Sequence, residues 1–462
     1  MSTPRLVIAG LNGGTGKTIL TLGVIRALTR GGFAIKPFKK GPDYIDAAWL
    51  GIAAGRHATN LDPYFLSANQ LRSLYAWASE GADLAVIEGN RGLYDGRDVT
   101  GSCSTAELAR TLAAPVVLAM DCTKMTRTAA AIVLGMRTLE PDVHIAGVVL
   151  NRTASERHRT ILRQCIEHYT DVPVLGALPK MTRNPIPERH MGLVSDREFE
   201  ACAAGLDAVG EWVAQHVDMD RMVGLAQGAQ PLAEVAPFWS DPVQLASPPR
   251  IGYVRDAALW FYYEENFEAL RRAGAELVEL RLLDGDPWPQ LDGLYLGGGF
   301  PETLAARISG SPSLLHAIRS MADDGLPIYA ECGGFMVLGE SIVMDGQAYP
   351  MAGVFPVRTE FHAKPQGLGY VEATVVAENP YHPLGAVVRG HEFHYSRCVA
   401  EADADVRFGL QLQPGTGMGN GRDGLLHRNT FASYTHLFGP GVPHWAERFV
   451  AAAAAYKAAR QQ

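Results

Sequence analysis

Short apolar runs alternate with helix-like segments along the first half of the chain. The run RLVIAG at residues 5–10 is followed by a segment in which Leu20, Val24 and Leu28 recur at helical spacing. Five more apolar runs of strand length come later, namely FAIKPF, DLAVIEG, APVVLAMD, HIAGVVLN and PVLGALP. Buried strands that alternate with helices are typical of a parallel sheet covered on both faces. The pattern therefore predicts a doubly wound α/β domain over residues 1–215.

The alternation fades and then restarts, which divides the chain. Residues 216–248 accumulate proline and lose their periodicity, so we expect a linker or peripheral segment there. The run RIGYVRD restarts the strand–helix pattern at residue 250, and GLYLGGGF, PIYAECGG and TFASYTHLF are its later strands. We therefore expect a second doubly wound α/β domain over residues 249–462.

Composition and charge narrow the class of protein. The chain has 462 residues, 47% of them hydrophobic, and a formal net charge of −8. A chain of this length and sign predicts two domains and argues against nucleic acid or a membrane as the main partner. Its six cysteines include no CxxC pair, and no apolar run approaches the length of a transmembrane helix. We expect a cytoplasmic protein that enters its first strand without a signal peptide.

The first chemical motif is GLNGGTGKT at residues 10–18, a glycine-rich turn between a strand and a helix. Backbone amides in such a turn bind phosphate groups. Here the amides would come from Asn12, Gly13, Gly14, Thr15 and Gly16. Lys17 would reach the outer phosphates of ATP, and the Thr18 hydroxyl would ligate Mg²⁺. A plain tight turn is the less favoured alternative.

Acidic residues follow two of the predicted strands. Asp43 lies in FKKGPDYID, directly after a strand, and Glu88 ends the buried run DLAVIEG. Because the carboxyl ends of parallel strands meet at one edge of a sheet, Thr18, Asp43 and Glu88 are the predicted Mg²⁺ ligands. Asp95, seven residues after Glu88, is assigned to the acceptor or to the transferred phosphoryl group.

Two features of residues 1–215 allow more than one interpretation. Lys39 and Lys40 either contribute to the site or are solvated surface lysines, and the sequence favours neither. Asn151, which follows AGVVL, either reads a nucleobase through its amide or simply forms a turn.

The second chemical motif is PIYAECGG, an apolar strand that runs into Glu-Cys-Gly-Gly and a helical start. It resembles a nucleophile elbow, the sharp strand-to-helix turn that exposes one side chain, here Cys332. The N-terminus of a helix also lowers the pKa of a thiol, which favours the reactive thiolate. A buried structural cysteine is the alternative, and it suits the other five cysteines better.

A thiol nucleophile requires a general base and an oxyanion hole. The run LYLGGGFPE ends a predicted strand with free glycine amides, so Gly298, Gly299 and the amide of Gly333 are the predicted oxyanion donors. Three histidines could act as the base, namely His391, His394 and His436. We favour His436, because it follows Ser-Tyr-Thr in a late strand.

The order of these motifs resembles that of a known family. GTGKT, FKKGPDYID, EGNRGLYDG, PERHMGL, GGGFPE, AECGGFM, GHEFHYS and ASYTH occur in turn from residue 14 to residue 436. These motifs identify the chain as similar to the cobyrinic acid a,c-diamide synthases. These enzymes join a P-loop, dethiobiotin-synthetase-like ATPase domain to a class I glutamine amidotransferase domain of the triad type. The family has the same unusual phosphate loop, with Leu11 in place of the standard glycine.

The resemblance implies a two-site reaction. Glutamine would acylate Cys332, with His436 as the general base, and would release ammonia. ATP would phosphorylate an acetate carboxylate of a tetrapyrrole polycarboxylate, and ammonia would displace the phosphate at positions a and c. The residues Asp43, Tyr44, Ile45 and Asp95 match positions that the family uses for the acceptor. The resemblance also allows a homodimer.

Several departures concern the acceptor. AAWLG follows GPDYID where the cobyrinate enzymes have a proline and then a histidine or phenylalanine. Asn90 and Arg91 replace small or apolar residues, and Phe438 stands where a second histidine often occurs. The combined pattern resembles the branch linked to sirohaem amidation, in which Asn90 and Arg91 would contact the substrate. Arg91 could equally face solvent.

Two rival functions follow from the same motifs. A nucleotide-switch regulator could carry a degenerate glutaminase domain as a binding module, but Cys332 and His436 are intact. The missing second lysine, at Asn12, also argues against a dimer-switch ATPase of the partition kind. Cobyric acid synthase, which amidates the remaining side chains, differs in the phosphate-side motifs.

Overall fold

The computed structural model describes residues 2–181, 185–186, 196–400, 405–442 and 444–461. The described residues form two compact units, which divide after residue 239. The boundary at residue 239 falls inside the segment 216–248 that was predicted as a linker. The PERHMGL motif lies outside the described residues.

The first unit contains a seven-stranded parallel sheet with the strand order β3-β2-β4-β1-β5-β6-β7. Its strands are β1 (Arg5–Gly10), β2 (Ile35–Lys40), β3 (Thr59–Leu61), β4 (Leu84–Gly92), β5 (Val116–Asp121), β6 (Ile145–Thr153) and β7 (Val174–Pro179). All six residues of β1 are buried, as expected for a central strand with helices on both faces.

Eight helices accompany these strands in the described residues. They are α1 (Lys17–Arg30), α2 (Tyr44–Ala54), α3 (Ala68–Ala78), α4 (Thr105–Thr111), α5 (Thr128–Leu139), α6 (Glu156–Thr170), α7 (Asp196–His216) and α8 (Met219–Gln227). Helix α8 lies within the predicted linker but packs against β1 and β4. It belongs to the first unit because Met222 and Ala226 are buried.

The second unit contains a ten-stranded mixed sheet with the order β10-β8-β11-β13-β22-β21-β20-β17-β18-β23. Its strands are β8 (Arg250–Val254), β10 (Glu276–Leu280), β11 (Gly293–Leu296), β13 (Ile328–Glu331), β17 (Gly367–Val375), β18 (Val387–His394), β20 (Phe408–Leu412), β21 (Arg422–His427), β22 (Thr430–Ser433) and β23 (His436–Leu437). The pairs from β10 to β22 are parallel and the others are antiparallel. The predicted doubly wound pattern therefore describes only half of this sheet.

Two smaller sheets and the helices complete the second unit. The strands are β9 (Leu259–Phe261) with β12 (Gly298–Gly299), and β14 (Ser341–Met344), β15 (Gln347–Pro350), β16 (Val357–Phe361) and β19 (Ser396–Ala400). The helices are α9 (Glu264–Arg272), α10 (Ala305–Ser309), α11 (Pro312–Asp323), α12 (Gly333–Leu338) and α13 (Trp445–Gln461), with short 3₁₀ turns at Pro301–Leu304 and Gly439–Gly441. Among the described residues, no helix is long and apolar enough to span a membrane.

Candidate active sites

The phosphate loop joins the end of β1 to the start of α1, as predicted. Gly16 caps the helix with a left-handed φ of 86°. Two features exclude a side chain at this position. The left-handed φ disfavours one, and a Cβ atom would lie 2.2 Å from Asn151 Nδ2. The same Nδ2 atom donates a hydrogen bond to Thr15 O at 2.8 Å. Asn151 therefore braces the loop, a contact that neither interpretation of this residue anticipated.

A cavity of about 890 Å³ lies beside the loop. Its lining includes Gly16, Ile19, Thr123, Lys124, Asn151 and Trp212. The volume is within the range of small-molecule sites, and the mixture of apolar and polar side chains is typical of them. Asn151 thus lies between the phosphate loop and a cavity large enough for a nucleoside.

Lys39 is buried at the centre of an ion-pair network, so its interpretation as a surface lysine is wrong. Its Nζ lies 2.9 Å from Glu88 Oε1 and 2.5 Å from Asp46 Oδ2. The sheet imposes the first contact, because Lys39 and Glu88 are partners in the β2–β4 ladder. Lys40 is also buried. No local pattern indicates this burial, since a lysine pair at the end of a strand usually faces solvent.

The network shifts the pKa values of its two lysines in opposite directions. Burial lowers the pKa of Lys39, but Glu88 and Asp46 outweigh it and raise the pKa above its usual range. Burial lowers the pKa of Lys17, and repulsion from Lys39 lowers it further. Two cations thus lie near the loop, and a phosphate chain would relieve the repulsion between them.

The predicted metal ligands are only partly brought together. Thr18 Oγ1 donates to Glu88 Oε1 at 2.7 Å, and Glu88 Oε2 is buried without a hydrogen-bond partner. Asp43 instead caps α2, where its Oδ1 accepts a hydrogen bond from Asp46 N at 2.8 Å. In the described part of the chain, no group of three or more His, Cys, Asp or Glu side chains could hold a metal. The hydroxyl and carboxylate oxygens nevertheless suit Mg²⁺, which takes most ligands from phosphates and water.

The predicted acceptor residues lie at the same edge of the sheet. Tyr44 and Ile45 form the first turn of α2, immediately after Asp43. Asp95 is exposed, and its Oδ2 accepts a hydrogen bond from Gly92 N at 2.9 Å. Asn90 and Arg91 end β4, where Asn90 Nδ2 faces Gly41 and Arg91 is exposed with a φ of 52°.

Cys332 occupies a strained turn between β13 and α12, as the elbow prediction required. Its φ of 46° and ψ of −100° are unusual for a residue with a side chain. Its backbone N–H donates to Ser433 O at 2.7 Å, which fixes the turn against β22. Such strain persists only where the surroundings enforce it, and it is common at functional sites.

The thiol environment differs from the prediction. Burial raises the pKa of the Cys332 thiol above its usual range, and the carboxylate of Glu302 raises it further. The Gly333 amide acts in the opposite direction. The side chain is only 4% exposed, and α12 has six residues. Loss of water therefore outweighs the short helix, and the expectation of a lowered pKa was wrong.

His436 has a buried carboxylate partner that the sequence analysis missed. His436 Nδ1 lies 3.5 Å from Glu331 Oε2, and both side chains are at most 1% exposed. Glu331 Oε1 also accepts a hydrogen bond from Leu437 N at 3.3 Å. Burial raises the pKa of Glu331, whereas His436 lowers it. One sequence signal could have identified Glu331, namely its position as the last residue of the strand, directly before Cys332.

The three candidate histidines divide into two environments. His391 stacks on His436, with ring centroids 4.9 Å apart. His394 instead stacks on Tyr434 at 3.7 Å, and its Nδ1 lies 2.8 Å from Ser396 O. His394 is thus held by a separate set of partners.

The predicted oxyanion glycines lie beside His436. A Cβ atom at Gly298 would lie 2.4 Å from His436 Cε1, so only glycine fits under the ring. Gly298 and Gly299 pair with Phe261 and Leu259 in an antiparallel ladder. They are therefore not the free strand end that the sequence suggested.

Both halves of the chain match known protein families. Residues 6–194 match the CobQ/CobB/MinD/ParA nucleotide binding domain, and residues 250–440 match the CobB/CobQ-like glutamine amidotransferase domain. A Magnetococcus marinus protein named cobyrinate a,c-diamide synthase is 41% identical over 451 residues, with 96% of each chain covered. Proteins with the same name from Listeria innocua and Archaeoglobus fulgidus are each 38% identical. These two matches cover 94% and 97% of this chain, and 96% and 97% of the relatives.

These matches confirm the predicted combination of a P-loop nucleotide-binding domain with a glutamine amidotransferase domain. They also confirm the predicted class, a glutamine-dependent amidating ligase. The similarity to the sirohaem branch stays a prediction, because the three relatives carry the cobyrinate name. The chain belongs to the cobyrinate a,c-diamide synthase family.

Proposed function

We propose that this ligase amidates the a and c acetate carboxylates of a sirohydrochlorin-derived tetrapyrrole, with ATP and glutamine as co-substrates. The observation that carries the proposal is Cys332, held on a strained elbow in the same domain as the buried His436–Glu331 pair. A binding module would gain nothing from that strain, so a nucleotide-switch regulator is disfavoured. The names of the relatives support the substrate class.

In the glutaminase reaction, His436 takes the thiol proton as the Cys332 sulfur attacks the carboxamide carbon. The C–N bond then breaks, the nitrogen takes the proton from His436, and ammonia leaves a γ-glutamyl thioester. Water, deprotonated by His436, cleaves the thioester to glutamate and restores the thiol. Glu331 orients His436 and balances its charge at each protonation. The Gly333 amide is the proposed donor to the oxyanion, and the amides of Gly298 and Gly299 would join it only if they are released from the ladder with Phe261 and Leu259.

In the synthetase reaction, an acetate oxygen attacks the γ-phosphorus of ATP and ADP leaves. Ammonia then attacks the acyl carbon, the C–O bond breaks, and phosphate departs with formation of the amide. The loop amides from Asn12 to Gly16 bind the phosphates, and Lys17 and Lys39 stabilise charge on them. Asp95 is exposed and follows β4, the strand that pairs with β1. It would contact the acceptor.

Mg²⁺ would be held by Thr18 and Glu88, with Asp43 as a further ligand only if its capping bond to Asp46 is given up. When bound, the ion neutralises phosphate charge during transfer. The orphaned Glu88 Oε2 atom supports this assignment, because a buried carboxylate oxygen requires a partner. Lys39 shares the other oxygen of Glu88.

The acceptor would lie against Asp43, Tyr44, Ile45, Asn90 and Arg91. Arg91 is exposed at the end of β4, so its guanidinium is available to pair with a peripheral carboxylate. Sirohaem is the second candidate substrate, favoured by AAWLG and by Asn90 and Arg91. A homodimer and a cytoplasmic location stay predictions.

The test is a mass-spectrometric amidation assay with Mg²⁺, ATP and glutamine, in which cobyrinic acid and sirohaem are offered separately. Each amidation lowers the mass by about one unit. Products from cobyrinic acid alone would support the primary proposal, and products from sirohaem alone would transfer it to the second substrate. Failure with both substrates, with ammonia as well as glutamine, would overturn it.

A further inference from the structure

Glu302 is a buried carboxylate that the steps above leave unused. It lies in the 3₁₀ turn Pro301–Leu304, which follows the glycines of β12. The side chain is 9% exposed, and its Oε2 atom is fully buried without a hydrogen-bond partner. A buried carboxylate oxygen without a partner is costly, which points to a ligand that completes it.

The turn that carries Glu302 packs on the nucleophile elbow. A Cβ atom at Gly333 would lie 2.9 Å from Pro301 Cδ and 2.9 Å from Gly299 N. Among charged groups, Glu302 raises the pKa of the Cys332 thiol more than Glu331 does, although Glu331 is its neighbour in the chain. The turn that carries the carboxylate therefore packs directly on the elbow that carries the reacting sulfur.

The other carboxylates near the thiol are already engaged. Glu331 faces His436 and Leu437 N. Asp423 accepts hydrogen bonds from Tyr434 N and Thr435 N, both at 3.0 Å. Glu302 and Glu331 each have a buried oxygen without a hydrogen-bond partner. Glu331 Oε2 lies 3.5 Å from His436 Nδ1, whereas Glu302 has no cationic partner among the described residues.

We propose that Glu302 binds the α-ammonium group of the substrate glutamine. The inference rests on the proposed glutaminase reaction and names the group that selects its substrate. An enzyme that hydrolyses one free amino acid must distinguish it from other carboxamides, and a buried carboxylate does so by pairing with the ammonium. Burial raises the pKa of Glu302 to about 7, as expected for a carboxylate that lacks a compensating cation.

The experiment pairs a residue change with a substrate change. Glutaminase kcat/KM is measured for wild type and Glu302→Gln, with glutamine and with 4-carbamoylbutanoate, which is glutamine without its α-amino group. We expect Glu302→Gln to lower kcat/KM for glutamine about 100-fold, mainly through KM, because a buried charge pair is lost. The value for 4-carbamoylbutanoate should change less than about 3-fold, since that substrate never makes the pair. Equal losses for both substrates would overturn the proposal.

Two controls separate this proposal from others. Ammonia-dependent amidation should be unchanged in Glu302→Gln, and Glu340→Gln, which alters an exposed carboxylate, should behave as wild type. If Glu302→Gln fails to fold, Glu302→Asp serves instead. That variant should keep the preference for glutamine over 4-carbamoylbutanoate, and loss of the preference would overturn the proposal. Glutamine-dependent amidation by Cys332→Ala would instead contradict the proposed function itself.

Discussion

The two catalytic regions differ in how one central buried charge is balanced. Around the phosphate loop, Lys39 is paired with Glu88 and Asp46. Around the elbow, Glu302 keeps an unpartnered oxygen and the pKa of the Cys332 thiol is raised. Paired charges give a preorganised site for an anionic ligand, whereas unpaired ones leave the nucleophile dependent on its substrate. The buried cation of the first region is thus balanced within the protein, whereas the buried carboxylate of the second would be balanced by its ligand.

The largest expected effect separates the two regions completely. Cys332→Ala should lower glutamine-dependent amidation about 10³-fold or more, because no other group can form the thioester. Amidation with free ammonia should stay within about 2-fold of wild type, since the phosphate loop is unaltered. Parallel assays with the two nitrogen donors measure both rates. Equal loss of both would contradict the two-site mechanism.

Glu88→Gln should have the opposite selectivity. A neutral amide at this position weakens the pair with Lys39 and removes a carboxylate ligand for Mg²⁺. We expect about 10²-fold to 10³-fold less ATP turnover with ammonia as donor, and unchanged glutamine hydrolysis. Glu80→Gln, at an exposed position of the same domain, is the matched control. Retained Mg²⁺-dependent ATP hydrolysis in Glu88→Gln would refute the metal assignment.

Glu331→Gln tests the histidine–carboxylate pair. We expect kcat for glutamine hydrolysis to fall about 100-fold with little change in KM, because Glu331 positions His436 and does not contact the substrate. Glu331→Asp should recover part of the loss, since it restores the charge. A rise in KM without a change in kcat would show that Glu331 acts on substrate binding instead.

The smallest effect concerns the thiol itself. The negative charge of Glu302 raises the pKa of Cys332, so its removal in Glu302→Gln should lower that pKa. Alkylation by iodoacetamide in the absence of glutamine should then occur at a lower pH than in wild type. The same reaction in Cys332→Ala gives the background from the other five cysteines. An unchanged or upward-shifted pH profile would disagree with the location of Glu302.

Prediction from sequence succeeded where chemistry is carried by local pattern. The glycine turn before Lys17 and the Glu-Cys-Gly-Gly turn at Cys332 are both short, and their backbone conformations follow from their residues. The parallel strands were readable because both of their faces are apolar. The antiparallel half of the second sheet was not, since exposed positions such as Leu368 and Val387 interrupt its alternation.

Contacts between distant residues could not be read in the same way. Lys39 and Glu88 are 49 positions apart and meet only because β2 and β4 are neighbours in the sheet. Glu331 and His436 are joined through a fold in which β13 and β23 belong to one sheet. The prediction of a lowered thiol pKa for Cys332 failed for a different reason. Burial of the thiol depends on the whole domain and not on the adjacent helix.

The raised pKa of Cys332 also affects how readily peroxide inactivates the enzyme. Only a thiolate reacts readily with such oxidants, and the first product, a sulfenic acid, would block thioester formation. A thiol that is 4% exposed and largely protonated resists this damage between turnovers. When glutamine is present, the sulfur is soon covered as a thioester. The sulfur is therefore protected by burial in the resting state and by the acyl group during turnover.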